Sequence, residues 1–277
     1  MKKIPFCFVL LLLLAACDEK VDWTLQTGVN NFPVVDATLT DELKTQSVRI
    51  TKPVVNINMI PEAVRGAEVM VSGDNQVYSF TEEAGNPGNY VSDLPFSGKM
   101  GKQYSLFITV SGVIYTAKAS MPAAVINFLP ARYIRTKAKG LYHINWVANP
   151  YDPRHPAMFE ILLDWSSVAG YRELDSASTH ARLLYYSLPT LDVSEVLSPN
   201  AEEVQFPAGT HITERRYSLT FEHAAFLRAL LSETSWQGGL FNSASSNVPT
   251  NLSAGACGFF GACAVTTKTD VAGAIAE

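Results

Sequence analysis

QYSLFITVSG, residues 103–112, decides the fold: Tyr104, Leu106, Ile108 and Val110 fall on one side of an extended chain, and Gln103, Ser105, Phe107 and Thr109 on the other. Side chains alternate across a strand with a period of two, so the stretch reads as a half-buried strand with one core face and one mostly wet face. The same alternation recurs in PVVDATLT (33–40), QSVRITKP (46–53), GAEVMVSG (66–73), QVYSFTE (76–82), GNYVSD (88–93) and VIYTAKASMP (113–122). Between them, SGDNQ and EEAGNPGN carry the Gly, Asn and Pro residues that hairpins and loops require. Seven short strands at this spacing predict an antiparallel β-sandwich, Ig-like or transthyretin-like, over residues 32–122.

Met121-Pro122 closes that unit, and a second β-rich domain is expected over residues 123–277. VINFLPARYIRT (125–136), LYHINWVA (141–148) and MFEILLDWS (158–166) read as strands, the last two apolar enough to be buried. Residues 150–215 contain several prolines and read as loop-rich. After the strand RRYSLTF, the segment 222–233 places Phe226, Leu227, Leu230 and Leu231 at helical spacing with Arg228 and Glu233 off the stripe, which predicts one amphipathic helix. Gly255, Gly258 and Gly261 superficially resemble a glycine-rich phosphate loop, but they do not join a strand to a helix. They read instead as a β-segment or turn where backbones approach closely.

Working back to the N-terminus, Lys2 and Lys3 precede an apolar run over residues 4–16, whose 13 residues fall short of the roughly 20 needed to span a bilayer. Leu14-Ala15-Ala16-Cys17 resembles a bacterial lipobox, which makes residues 1–16 a signal peptide and Cys17 the acceptor of a lipid anchor in the membrane. At roughly 0.8 kcal/mol per buried CH₂, two or more acyl chains hold a protein stably where one does not. Residues 17–31 are polar, with a single Trp, and read as the lipidated tether.

Cleavage at that point lowers Lys+Arg from 21 to 19 against 26 Asp+Glu, so the mature chain is mildly acidic. This excludes a sequence-independent nucleic-acid role, which needs a basic stripe. Cys7 leaves with the signal, and Cys257 and Cys263 remain. Outside the inner membrane an even remainder permits a disulfide, two free buried thiols being the alternative. Without a companion pair or a nearby His, the two thiols do not complete a tetrahedral metal site.

No zincin, nucleophile-elbow, Walker or Rossmann pattern is present, so no catalytic residue and no cofactor is expected. The five histidines, His143, His155, His180, His211 and His223, never fall at ligand spacing with each other or with a Cys, and no metal site is expected. Glu160 and Asp164 share a strand face and supply the one argument for a hydrolase, against which a polar edge-strand face is the plain explanation. Aromatics are dense in the second region, and Tyr151, Trp165, Tyr171 and Trp236 are the candidates for a ligand or partner surface there, with core packing as the competing account.

Over nearly the whole mature chain the sequence resembles a lipoprotein family of the Bacteroidetes, domain-of-unknown-function family 4249. PVVDATLTDE followed by QSVRITKP is similar to its opening strand, acidic turn and second strand. RGAEVMVSGDNQVYSFTEEAGNPGNYVSD and GKQYSLFITVSGVIYTAKASMP resemble its Gly-Ala-x-Val hairpin, its Pro-Gly-x-Tyr strand and its Tyr-x-Leu strand ending in Met-Pro. Ser246, Asn247, Val248, Gly258, Phe260 and Gly261 resemble its closing signature. Members are commonly encoded beside TonB-dependent outer-membrane receptors. The resemblance therefore implies an outer-membrane, surface-exposed lipoprotein that assists such a receptor without being an enzyme, a structural or adhesive surface module being the alternative. It implies no disulfide. Asp18-Glu19 is similar to the surface-export signals of such bacteria, and Asp175-Ser176-Ala177 to their O-glycosylation tripeptide.

Overall fold

The computed structural model of the chain describes residues 32–54, 58–138, 140–145, 154–188, 204–234 and 248–273. The leader, the tether and Cys17 lie outside the described residues.

The seven strands expected from the N-terminal alternation form, as β1 Val34–Thr40, β2 Ser47–Thr51, β3 Glu68–Gly73, β4 Gln76–Glu82, β5 Asn89–Ser92, β6 Gln103–Val110 and β7 Val113–Ser120. In β6, Tyr104, Leu106 and Ile108 are buried while Gln103 and Phe107 face outward, as the period of two requires. Asp74 and Asn75 both take positive φ between β3 and β4, as do Ser111 and Gly112 between β6 and β7. These are the two-residue primed turns whose twist matches that of the flanking strands.

The second region adds β8 Arg132–Arg135, β9 Leu141–Asn145, β10 Ala157–Asp164, a single-turn helix α1 Ser176–Thr179, and β11 His180–Ser187. It continues with β12 Phe206–Pro207, β13 His211–Ser218, the helix α2 Phe221–Thr234, β14 Cys257–Cys263 and β15 Val265–Val271. The protein is thus mainly β. The expectation of loop through 150–215 is corrected by β11, an eight-residue edge strand inside it.

The sheets do not respect the expected boundary at residue 122. β14 pairs in parallel with β1 along its whole length, from Val34 opposite Cys257 to Thr40 opposite Cys263. It completes one eight-stranded sheet of order β14-β1-β2-β5-β4-β3-β6-β7. The two layers of the expected sandwich are therefore one sheet wrapped around its core of Leu39, Ile50, Val71, Leu106, Ile108 and Phe260. Residues 250–253 bring its two edges together. Asn251 Nδ2 donates to Lys118 O of β7 at 2.9 Å and to Phe260 O of β14 at 2.7 Å, while its Oδ1 accepts from Phe260 N at 3.0 Å. Ser253 N adds a bond to Thr116 O at 2.8 Å.

Two glycines allow close approach to β14, one by β1 and one by α2. Gly258 has φ +97°, and a Cβ there would stand 1.9 Å from Val35 O across the β1–β14 seam. A Cβ at Gly261 would stand 2.5 Å from the imidazole of His223 on α2. The expectation of closely approaching backbones in this glycine-rich stretch holds.

After Ala264 the same extended chain leaves the first sheet as β15 and joins a four-stranded sheet of order β11-β10-β13-β15. One face of that sheet packs Ile161, Leu163 and Ile212 against Tyr142, Ile144 and Phe206 of the three-stranded β12-β9-β8 sheet. On the other face, one end is covered by α2, where Leu227 and Leu231 meet Tyr217, Met158, Tyr186 and Cys263. The helical stripe forms as expected, although Leu230 is exposed, and Arg228, expected off the stripe, is half-buried. Thr220 caps α2, its Oγ1 accepting from His223 N at 3.2 Å.

Gly258→Ala is expected to cost about 2 kcal/mol or more, through strain at positive φ and collision with β1. Chemical denaturation read by circular dichroism measures it, and an unchanged midpoint would contradict the seam described.

Candidate functional site

The part of the four-stranded sheet's second face that α2 leaves free carries a cluster of charged and polar side chains. Alternation along β10 turns Met158, Glu160, Leu162 and Asp164 to this side. The register places Leu184 and Arg215 directly beside Glu160, and His180 and His211 directly beside Asp164. Glu160 is 5% exposed, and three groups hold it: Arg182 Nε at 2.6 Å, Arg215 Nη1 at 2.7 Å and the Tyr217 hydroxyl at 2.8 Å. Arg215 reaches on through Nη2 to Glu42 Oε2 at 2.5 Å, which Lys44 Nζ also approaches at 3.0 Å.

Glu42 belongs to the turn after β1, and that turn is fixed from within. The buried Gln46 accepts from Thr40 N at 3.0 Å and donates to the carbonyls of Thr40, Glu42 and Phe96. The neighbouring Asp41 Oδ1 accepts from Val265 N of β15 at 2.8 Å. One turn of the eight-stranded sheet thus grips the four-stranded sheet twice.

Burial alone would raise the Glu160 carboxyl, but Arg182, Tyr217 and Arg215 outweigh it and hold it below the usual carboxylate range. Burial, and then the bond to Glu160, push the Tyr217 phenol well above its ordinary value. A carboxylate kept ionised by two guanidiniums and a phenol kept protonated are suited to structure rather than to acid–base exchange. Glu160 and Asp164 do share a face, but four residues of strand separate them by about 13 Å. Paired glycosidase carboxyls stand roughly 5–9.5 Å apart, so the pair does not fit that hydrolysis.

Of the expected partner surface, Trp165 is 6% exposed and packs in the core with Ile161, Leu163 and Phe206, while Tyr171 is half-buried against the same cluster. Trp165 is corrected to core, which is where the apolar face of β10 and its following turn point, and Tyr171 lies at the margin of that core. Tyr151 and Trp236 lie outside the described residues.

The disulfide expectation is also corrected. Both thiols are free, Cys257 exposed and Cys263 buried, at the two ends of β14. Six extended residues separate them by about 20 Å, whereas a disulfide needs Cα atoms within roughly 7 Å. Burial, then Asp41, push the Cys263 thiol up to about 12, and its Sγ stands 3.7 Å from His223 Nδ1. Burial lowers that imidazole to about 4.

A further cavity of about 270 Å³ is lined by Pro130, Ala131, Glu214, Lys268 and Asp270 on the opposite face of the sheet. Burial raises the Glu214 carboxyl, whose Oε2 accepts from Ala131 N at 2.8 Å. At that size it lies just under the roughly 300–1,000 Å³ of small-molecule sites.

Glu42, Gln46 and Asn251 were not singled out from the sequence. Their partners are up to 173 residues away, as for Arg215 and Glu42, and no local spacing announces such pairs.

A wrapped β-sheet joined by a buried charge network to a second β-layer, with its carboxylates and phenol already engaged, defines a mainly β protein whose central polar cluster is structural. Residues 18–269 match the family described as "Domain of unknown function (DUF4249)", and the chain belongs to that family. No curated protein matches it.

Arg215→Ala leaves Glu160 and Glu42 without their shared partner and is expected to cost about 3–5 kcal/mol, measured by urea unfolding. Two groups set the acid limit. His223, lowered in the folded state, contributes stability that is complete above about pH 6.5 and is lost as pH falls toward 4. Glu160 contributes above the ordinary carboxylate range and is lost below it. His223→Gln should flatten the upper limb of the pH–stability curve and leave the lower one; loss of neither limb would refute the assignment. Alkylation of the folded protein with iodoacetamide should modify Cys257 and spare Cys263 until denaturant is added.

Proposed function

We propose that the chain is a lipid-anchored, non-catalytic accessory of an outer-membrane, TonB-dependent uptake system, displayed at the cell surface. The observation that carries the anchor is the tetrad Leu14-Ala15-Ala16-Cys17 at the end of a short apolar run with a basic start. Membership in the DUF4249 family supports the reading, because the resemblance drawn from the sequence associates that family with such receptors.

The locked state of Glu160 supports a binding rather than a hydrolytic role. Anchoring gives a modest binder a high effective concentration near a receptor in the same membrane, so no large interface is needed.

Expressed in a bacterium that processes lipoproteins, the wild-type chain should incorporate a clickable palmitate analogue, and Cys17→Ser should abolish the label and release the protein from the membrane fraction. Unlabelled wild-type protein would rule out the anchor. Gentle solubilisation through a C-terminal tag, followed by mass spectrometry, should recover a TonB-dependent receptor in stoichiometric amount. Recovery of the lipoprotein alone would favour an adhesive or structural surface module.

A further inference from the structure

Charge-free apolar tips flank the point where the chain enters the eight-stranded sheet. In that sheet β1, β3, β5, β7 and β14 run one way and β2, β4 and β6 the other. The entry at Pro33, the connections from β2 to β3 and from β4 to β5, and the β6–β7 turn therefore share one end. The turn after β1, the β3–β4 turn and the connection from β5 to β6 share the other.

Two projections at the entry end hold large apolar side chains out in solvent. Lys52 N donates to Glu62 O at 2.7 Å and Lys52 Nζ pairs with Glu62 Oε1 at 2.6 Å, which closes the base of a loop bearing the exposed Met59 and Ile60. Ile60 is 90% exposed. The β6–β7 turn leads into Val113 and Ile114, both exposed. Neither Asn58-Met59-Ile60-Pro61 nor Ser111-Gly112-Val113-Ile114 contains a charge.

These tips lie on opposite flanks of the entry. β2, which leads into the first, pairs with β1. On the other flank Ser253 N bonds to Thr116 O of β7 at 2.8 Å and Cys257 N to Pro33 O at 3.0 Å, which sets the start of β7 near the start of β14, the other neighbour of β1. The far end differs in kind. Leu43, Leu94 and Met100 are exposed there, but Lys44, Asp74, Asp93, Lys99 and Lys102 share their loops and turns. Single exposed apolar residues are ordinary on a protein surface, whereas two uncharged apolar tips around one point mark a contact surface.

The occupant follows from the anchor, and the inference rests on reading Cys17 as the lipid acceptor. The 15 residues from Cys17 to Asn31 join the acyl chains to this end and no other, and even fully extended they reach at most about 54 Å. A bilayer is then held at high effective concentration beside the uncharged tips. We propose that this end of the eight-stranded sheet docks on the lipid bilayer, with Met59 and Ile60 on one side of the anchor and Val113 and Ile114 on the other entering the boundary between headgroups and acyl chains. Glu83, exposed in the third connection of this end, stays among the headgroups. Docking turns the far end away from the membrane, and with it the four-stranded sheet that Asp41 and Glu42 grip.

The test uses the full lipidated chain in vesicles of phosphatidylethanolamine and phosphatidylglycerol. In a Cys257→Ser background, Ile60→Cys, Val113→Cys and, at the far end, Leu94→Cys each carry an environment-sensitive fluorophore. Emission at 60 and 113 should shift to the blue and be quenched by doxyl-labelled lipid, while emission at 94 does neither. Ile60→Asp combined with Val113→Asp should keep the melting temperature and the palmitate label, yet abolish lipid quenching of a fluorophore placed by Met59→Cys. Reporters at 60 and 113 as wet as the one at 94, on a chain that carries the palmitate label, would overturn docking and leave the anchor intact. A blue shift without lipid quenching would overturn it too, and assign the tips to a second copy of the chain. Absence of the palmitate label would remove the anchor and docking together.

Discussion

The structure hangs on the continuous extended run from β14 through Ala264 to β15. Its first half pairs in parallel with β1 and its second half antiparallel with β13. At the changeover Ser218 N bonds to Ala264 O at 2.9 Å, and Val265 N bonds to Asp41. With the chain stitched into both sheets at that point, Glu42 has no choice but to face β13, and Arg215 sits between two carboxylates rather than in water. The burial of Glu160, the packing of His223 over Gly261 and the capping of α2 all follow from where this run changes sheet.

Buried ion networks are weak evidence for stability, because desolvation offsets the Coulombic gain. The cluster around Arg215 is better understood as specifying position. Its members come from β1's turn, β10, β11 and β13, and each carboxylate oxygen named has a donor. A one-residue slip of β10 against β11 and β13 would reverse its faces and strand these charges in the apolar layer with Ile161 and Leu163.

What could be read from the sequence was what repeats locally. The faces of β6 and the primed turns at Asp74-Asn75 and Ser111-Gly112 follow from a period of two and from turn chemistry, and the helix follows from the spacing of Phe226, Leu227 and Leu231. β11 escaped because HARLLYYS offers no clean alternation and lies among prolines. The tryptophan at 165 was ambiguous by nature, since a large aromatic suits a core and an interface equally, and only the direction of β10 assigns it. The glycines at 258 and 261 signalled close approach without saying to what. Asn251, Gln46 and the Glu42–Arg215 pair carry no local pattern, because their roles exist only once distant strands are adjacent.

The parallel seam also governs when the molecule can finish folding. Asp41 and Val265 meet across 224 residues of chain, so the first seven strands, though consecutive and locally paired, keep an open edge at β1 and another at β7 until the last strands exist. Chains dominated by such distant pairings fold slowly, since loop closure precedes any reward from contact. An unpaired edge is also a template for other chains. The nascent chain therefore passes through a long interval as an incomplete sheet, and Asn251 and β14, made long after β7, end that exposure.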